Sequence, residues 1–182
     1  FHAINVTIPY KERVIPYLDY VSDEVKAIGA CNTIVNKNGK LYGYNTDYYG
    51  LKELIETQGI AIAGKSVLIL GTGGTSKTAL KLMKDMGAAK CLRATRRAEE
   101  GIGMINYSKI SSEYPDFQVV INTTPAGMYP HLEDTPLDIE NYNHLEAVVD
   151  VVYNPRRTIR TLAAAKRGLK WANGLYMLVS QA

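Results

Sequence analysis

Val67-Leu68-Ile69-Leu70 runs directly into Gly71-Thr72-Gly73-Gly74-Thr75-Ser76. An unbroken apolar run of this kind reads as a strand buried on both faces. The glycines let the backbone turn tightly and approach a phosphate. The helix that follows turns its free N–H groups and the positive end of its dipole on the same point. The spacing is Gly-x-Gly-Gly-x-Ser, so Ser76 stands where the common dinucleotide fingerprint has its third glycine. Taken alone, the motif fits a tight strand-to-helix turn that binds nothing as well as it fits a cofactor loop.

The next informative position lies at the end of the second strand. Dinucleotide folds place an acid there against a ribose 2′-hydroxyl, whereas arginine accommodates a 2′-phosphate. Here the strand candidate Lys90-Cys91-Leu92-Arg93-Ala94 runs into Thr95-Arg96-Arg97, with no acid before Glu99. Two guanidiniums at that point favour NADP over NAD, because arginine grips phosphate in a charge-assisted fork. The competing reading is a solvated basic turn.

From residue 66 onward the chain alternates strand and helix patterns. Strands are predicted over 66–70, 90–94, 119–122, 147–152 and 171–172, and helices over 76–86 and 158–167, with a short helix over 110–114. That rhythm predicts an α/β fold, a Rossmann-type doubly wound parallel sheet with helices on both faces. Upstream, a strand over 4–8 ends at Pro9, an irregular helix covers 11–18, and Ser22 caps a helix over 23–28. A hairpin joins 33–35 to 40–44 across Asn38-Gly39, a strong turn signal. Thr46 or Asp47 then caps a helix running through Glu56. The expected organisation is a partial smaller α/β domain over 1–47 and a dinucleotide-binding domain over 48–174, entered by a linking helix at 47–57. Residues 175–182 begin a helix returning to the first domain.

Composition narrows the function classes. A net charge of +3 over 182 residues, with its basic residues scattered apart from Arg93, Arg96 and Arg97, argues against a nucleic-acid-binding protein. Two distant cysteines without ligand spacing fit a reducing, cytoplasmic compartment and no disulfide framework. No apolar run approaches the roughly 18 residues of a membrane span. The three histidines, His2, His131 and His144, have no partners at ligand spacing, so no metal site is expected. Phe1 already sits in strand-like sequence and Ala182 in an apolar helical pattern, so the expectation is a piece of a longer chain.

Two polar clusters precede the glycine loop. In Asn5-Val6-Thr7-Ile8-Pro9-Tyr10-Lys11, a strand would turn Asn5 and Thr7 to one side. The second cluster combines Gly29-Ala30-Cys31-Asn32-Thr33 with Asn45-Thr46-Asp47. These side chains offer donors and acceptors suited to a polyhydroxylated substrate. A lysine and a carboxylate brought together can deliver a proton to the alkoxide of a reduced carbonyl, with the carboxylate orienting the amine. Equally, Lys11 reads as a solvated lysine and Asp47 as a helix cap.

Together with Asn122-Thr123-Thr124-Pro125-Ala126-Gly127-Met128, Asp150-Val151-Val152-Tyr153-Asn154-Pro155 and Asn173-Gly174-Leu175-Tyr176-Met177-Leu178-Val179-Ser180-Gln181-Ala182, these blocks resemble the shikimate dehydrogenase family in order and spacing, over essentially the whole chain. The resemblance implies reduction of 3-dehydroshikimate to shikimate with NADPH, on the route to chorismate and the aromatic amino acids. It implies Lys11 and Asp47 as the catalytic pair, and Asn5, Thr7, Asn32, Tyr153 and Gln181 as further substrate contacts. For the cofactor it implies Gly71, Gly73, Gly74, Thr75 and Ser76 at the pyrophosphate, with Thr95, Arg96 and Arg97 at the 2′-phosphate. Thr124, Pro125, Gly127 and Met128 would line the cleft, with Gly174 and Met177 toward the nicotinamide. The expected partners are small molecules, with no nucleic acid and no membrane; a homodimer is left open. The family's Asn-Arg-Thr reads Thr95-Arg96-Arg97 here, and its Ser-x-Ser carboxylate grip, which lies upstream, has no counterpart after Phe1. Two alternatives stay open: a quinate/shikimate dehydrogenase, and an inactive NADP-binding fragment.

Overall fold

The computed structural model describes residues 1–96 and 103–180. Its first sheet is small and mixed. Strand β1 (Ala3–Asn5) pairs antiparallel with β3 (Thr33–Lys37), which forms a hairpin with β4 (Lys40–Tyr44). Asn38 and Gly39 at the turn both have positive φ, 54° and 85°, the backbone a two-residue hairpin of right-twisted strands demands. The two-residue strand β2 (Tyr20–Val21) adds parallel to β4. Helix α1 (Asp23–Ile28) is capped by Ser22, whose hydroxyl accepts from the Val25 N–H, and ends on left-handed Gly29. Val25, Cys31 and Ile34 form the small core beneath it.

Sequence expectation and structure part company here. The strand predicted over 4–8 stops at Asn5, so Thr7 lies in a turn and no strand places it beside Asn5. The helix predicted over 11–18 is a turn followed by one 3-10 turn, Ile15–Tyr17. Pro16 is the cause: it has no N–H to give a helix passing through it, and is tolerated only in a first turn. Helix α2 (Thr46–Thr57) is capped by Asn45, whose side chain accepts from the Tyr48 N–H, and not by Thr46 or Asp47. Asp47 is thereby moved one position inside the helix and released from capping.

The second sheet has six strands, all parallel: β5 (Ser66–Leu70), β6 (Lys90–Thr95), β7 (Met104–Asn106), β8 (Val119–Asn122), β9 (Ala147–Asp150) and β10 (Lys170–Asn173), in the order β10-β9-β8-β5-β6-β7. The direction of winding reverses between β5 and β8, which makes a crevice at the carboxyl ends of those strands. Side chains alternate between two cores. Val67, Ile69, Val119, Ile121, Ala147 and Val149 face one side, packed by Leu51, Leu54 and Ile55 of α2 and by Ala79, Leu82 and Met83 of α3 (Gly74–Asp85). Leu68, Leu70, Val120 and Val148 face the other, with Ile110 of α4 (Ile110–Glu113), Phe117, Tyr142 and Ala164 of α5 (Ile159–Lys166). This two-sided burial is why the strands read as unbroken apolar runs. The last described helix, α6 (Gly174–Ser180), packs on α2. Strand β7 was invisible to periodicity because it is short and gains its order from pairing with β6.

Candidate active site

The glycine loop is crowded at Gly71 and open at Gly73. Gly71 has φ of 109°, and a Cβ there would stand 2.9 Å from Thr123 Oγ1 and 3.0 Å from Thr124 Cγ2, because the loop crosses the end of β8. Gly73 caps α3 without a side chain, and the space a Cβ would take is open. An anion can thus approach the backbone at the start of α3, where N–H groups of the first turn lack intrahelical partners. Ser76 points inward: its hydroxyl donates to the Gly73 carbonyl at 2.8 Å, and the residue is buried.

Gly74 faces the first sheet. A Cβ there would come within 3.2 Å of Lys11 Cβ and 3.4 Å of Ala30 Cβ, so the stem of Lys11 lies against the start of α3. Lys11 Nζ donates to Asp47 Oδ2 at 2.5 Å and to Thr75 Oγ1 at 3.4 Å. Asp47 Oδ1 accepts from Asn32 Nδ2 at 3.1 Å. Asn32 also accepts the Thr46 N–H at 2.7 Å through Oδ1, so one buried amide both holds the carboxylate and ties off the start of α2. A second ion pair, Lys77 to Glu12 at 2.6 Å, joins α3 to the segment carrying Lys11.

A cavity of about 460 Å³ lies between these parts. Ile8, Pro9, Lys11 and Glu12 line one side, and Gly71–Gly74, Ala94, Thr95, Arg96, Tyr107, Thr123, Thr124 and Pro125 the other. A second chamber of about 280 Å³ shares Arg96, Tyr107, Thr124 and Pro125 and extends along Ala126, Met128, Tyr129 and His131. The cleft therefore brings together a helix N-terminus, a guanidinium and a lysine–carboxylate pair. The first two suit a phosphorylated ligand, and the third can orient and protonate an oxygen.

Several candidates lie elsewhere. Asn5 and Thr7 line a separate apolar cavity of about 580 Å³ with Tyr10, Val14 and Tyr17. Met177 is buried in the core against Gly50 of α2. Gly174 is buried where a Cβ would overlap the Val151 carbonyl, which accounts for the glycine by packing alone. Gly127 is buried with φ of 85°, and Tyr153 is exposed on the segment after β9. Arg97 and Gln181 lie outside the described residues.

Tyr107 was missed by sequence reading. It follows β7 and lines both chambers; burial pushes its phenol above the ordinary range, while the Arg160 and Arg96 guanidiniums pull the other way. His131 is exposed and lines the second chamber. Among the described residues no helix is long and apolar enough to cross a membrane, and no group of three or more His, Cys, Asp or Glu is placed to hold a metal ion.

Comparison with known proteins gives the family and the fold. A family model described as the shikimate dehydrogenase substrate binding domain matches residues 1–34. The shikimate dehydrogenase (NADP(+)) of Clostridium perfringens is 42% identical over 185 residues, covering 97% of this chain and 68% of that protein. Among solved structures, shikimate dehydrogenase 1 from Peptoclostridium difficile superposes with a TM-score of 0.90 at 40% identity, covering 100% of this chain and 68% of that one. The Thermus thermophilus enzyme in complex with NADP(H) and shikimate gives 0.87 at 30% identity, covering 100% and 70%. With relatives 40–42% identical aligned over 97–100% of the sequence, the chain belongs to the shikimate dehydrogenase family.

Proposed function

We propose that this chain is the NADP-dependent catalyst that reduces 3-dehydroshikimate to shikimate on the route to chorismate and the aromatic amino acids. The observation that carries the reading is the Lys11–Asp47 pair beside the glycine loop, in one cleft with Arg96. Residues 1–47 supply the substrate side and 48–174 the cofactor side.

The residues present fit the dinucleotide. The open face of Gly73 and the start of α3 would hold the pyrophosphate, and Arg96 the 2′-phosphate. When bound, NADPH supplies the hydride for the ketone carbon. Lys11 delivers the proton to the oxygen that becomes the hydroxyl, and its ammonium is replenished from solvent. Asp47 holds the Lys11 amine in place, and Asn32 holds Asp47. Thr75 offers Lys11 a second acceptor on the cofactor side, which couples the proton donor to the loop.

The test follows NADPH formation by ultraviolet absorbance with shikimate and NADP⁺, with quinate and NAD⁺ as comparisons and NADPH binding titrated in parallel. Turnover that requires shikimate and NADP⁺ supports the reading. Faster turnover of quinate makes the chain a quinate/shikimate dehydrogenase, and binding without turnover makes it a cofactor-binding unit only.

A further inference from the structure

Arg160 lies beneath the second chamber at 2% exposure. Its Nη2 donates to the Ala126 carbonyl at 2.6 Å and to Asp150 Oδ2 at 3.3 Å, and its Nη1 donates to Thr135 Oγ1 at 3.1 Å. Ala126 and Thr135 are the two ends of the segment 126–135, and Met128, Tyr129, His131 and Asp134 within it wall the chamber. One guanidinium thus fastens the base of this segment at both ends.

The anchor is itself held. Asp150 is fully buried and accepts from Asn122 Nδ2 at 2.8 Å, the Val152 N–H at 3.1 Å and Thr158 Oγ1 at 2.7 Å. Asn122 Oδ1 accepts in turn from the Thr124 N–H at 3.1 Å and the Thr124 hydroxyl at 2.6 Å. The wall shared by the two chambers and the segment beyond it therefore hang on one buried ion pair.

Such a pair is weak evidence of stabilisation, because desolvation offsets its attraction and an apolar side chain of similar volume often serves as well. What an apolar residue cannot do is donate to three acceptors at once, both ends of segment 126–135 and the end of β9, which the fixed fork of a guanidinium can. We propose that Arg160 is a positioning residue for nucleotide binding. It holds segment 126–135 in the shape that walls the second chamber, and so sets affinity for the adenosine end of the dinucleotide. The inference rests on the NADP reading above.

The test compares Arg160→Met, Arg160→Lys and Thr135→Val with the unsubstituted chain. Binding of NADPH and of 2′,5′-ADP is titrated alongside thermal melting. Arg160→Met is expected to weaken both ligands by about tenfold, the scale of one net hydrogen bond lost from the wall, with partial recovery in Arg160→Lys. Thr135→Val keeps the ion pair whole and removes the outer tie together with the Thr135 hydroxyl's bond to the Leu137 carbonyl, so it is expected to weaken both ligands with a melting temperature close to the parent's; it decides the matter if Arg160→Met does not fold. Unchanged affinity in folded Thr135→Val and Arg160→Lys, with or without a lower melting temperature, overturns the positioning role alone. Failure of the unsubstituted chain to bind either ligand overturns the NADP reading and this role together.

Discussion

Lys11 Nζ stands 2.5 Å from Asp47 Oδ2, and the two side chains are only 14% and 4% exposed. The lysine comes from a turn after β1 and the aspartate from the first turn of α2, so neither element could place the pair alone. Asn32 on one side and Thr75 on the other leave the pair little freedom.

Lys11→Met and Asp47→Asn should each lower kcat for shikimate oxidation by about 10²–10⁴, the range for losing a positioned proton-transfer group. KM for NADP⁺ should change far less, since the phosphates are assigned to other residues. Each change leaves a shielded partner uncompensated, so stability should also fall, by about 3–5 kcal/mol at most. Steady-state kinetics and urea unfolding separate the two effects, and a Lys11→Met variant with parental kcat would remove the lysine from the mechanism.

Gly74→Ala isolates the contact between α3 and Lys11. Alanine in a helix is favoured over glycine by about 1 kcal/mol. Here its Cβ would sit 3.2 Å from Lys11 Cβ, so the lysine segment must give by a few tenths of an ångström. The expected result is a melting temperature near the parent's together with a clear loss of kcat. An unchanged kcat would mean that the exact seat of Lys11 does not matter.

Arg96 is exposed at the junction of the two chambers. Arg96→Ala should weaken NADP⁺ by about 10- to 100-fold, as expected for a charge-assisted hydrogen bond worth about 1.5–3 kcal/mol. Affinity for NAD⁺ should hardly move. Isothermal titration with both nucleotides checks this, and an equal loss for the two would argue against a 2′-phosphate contact.

Tyr48 on α2 donates to Asp85 on α3 at 2.7 Å. Burial, with Asp85 as acceptor, pushes the Tyr48 phenol up to about 12, and Lys81 first, then Tyr48, hold the Asp85 carboxyl below its ordinary 3.8. The carboxylate's contribution is complete above pH 3.8 and disappears as pH falls through its lowered folded value. The phenol's contribution is complete below pH 10.0 and disappears as pH rises through about 12. Tyr48→Phe should therefore be less stable than the parent at neutral pH, with the gap closing toward both extremes. Urea midpoints across pH check it; a gap that stays constant down into strong acid would show that Asp85 is not the partner that matters.

Much of this was legible locally. Val67, Leu68, Ile69 and Leu70 announce a doubly buried strand because a parallel sheet covers both faces. Ser22 and Asn38-Gly39 mark a cap and a turn because those geometries depend on adjacent residues alone. The block from Asn5 to Lys11 and the pair Asn32 and Asp47 also stand out by composition, but composition does not say which of them meet. Pro16 removed a predicted helix, β2 and β7 exist only because β4 and β6 pair with them, and Asn45 took the cap that Thr46 or Asp47 was expected to fill.

The amino-acid sequence by itself determined the parallel α/β layout, the glycine loop and the basic residue after the second strand, since period, turn chemistry and spacing act over a few residues. Only the tertiary structure decided that Lys11 reaches Asp47, that Tyr107 lines both chambers and that Arg160 fastens segment 126–135. Those pairings join residues far apart in the chain, and they form where packing leaves a charge or a polar group with few partners in reach.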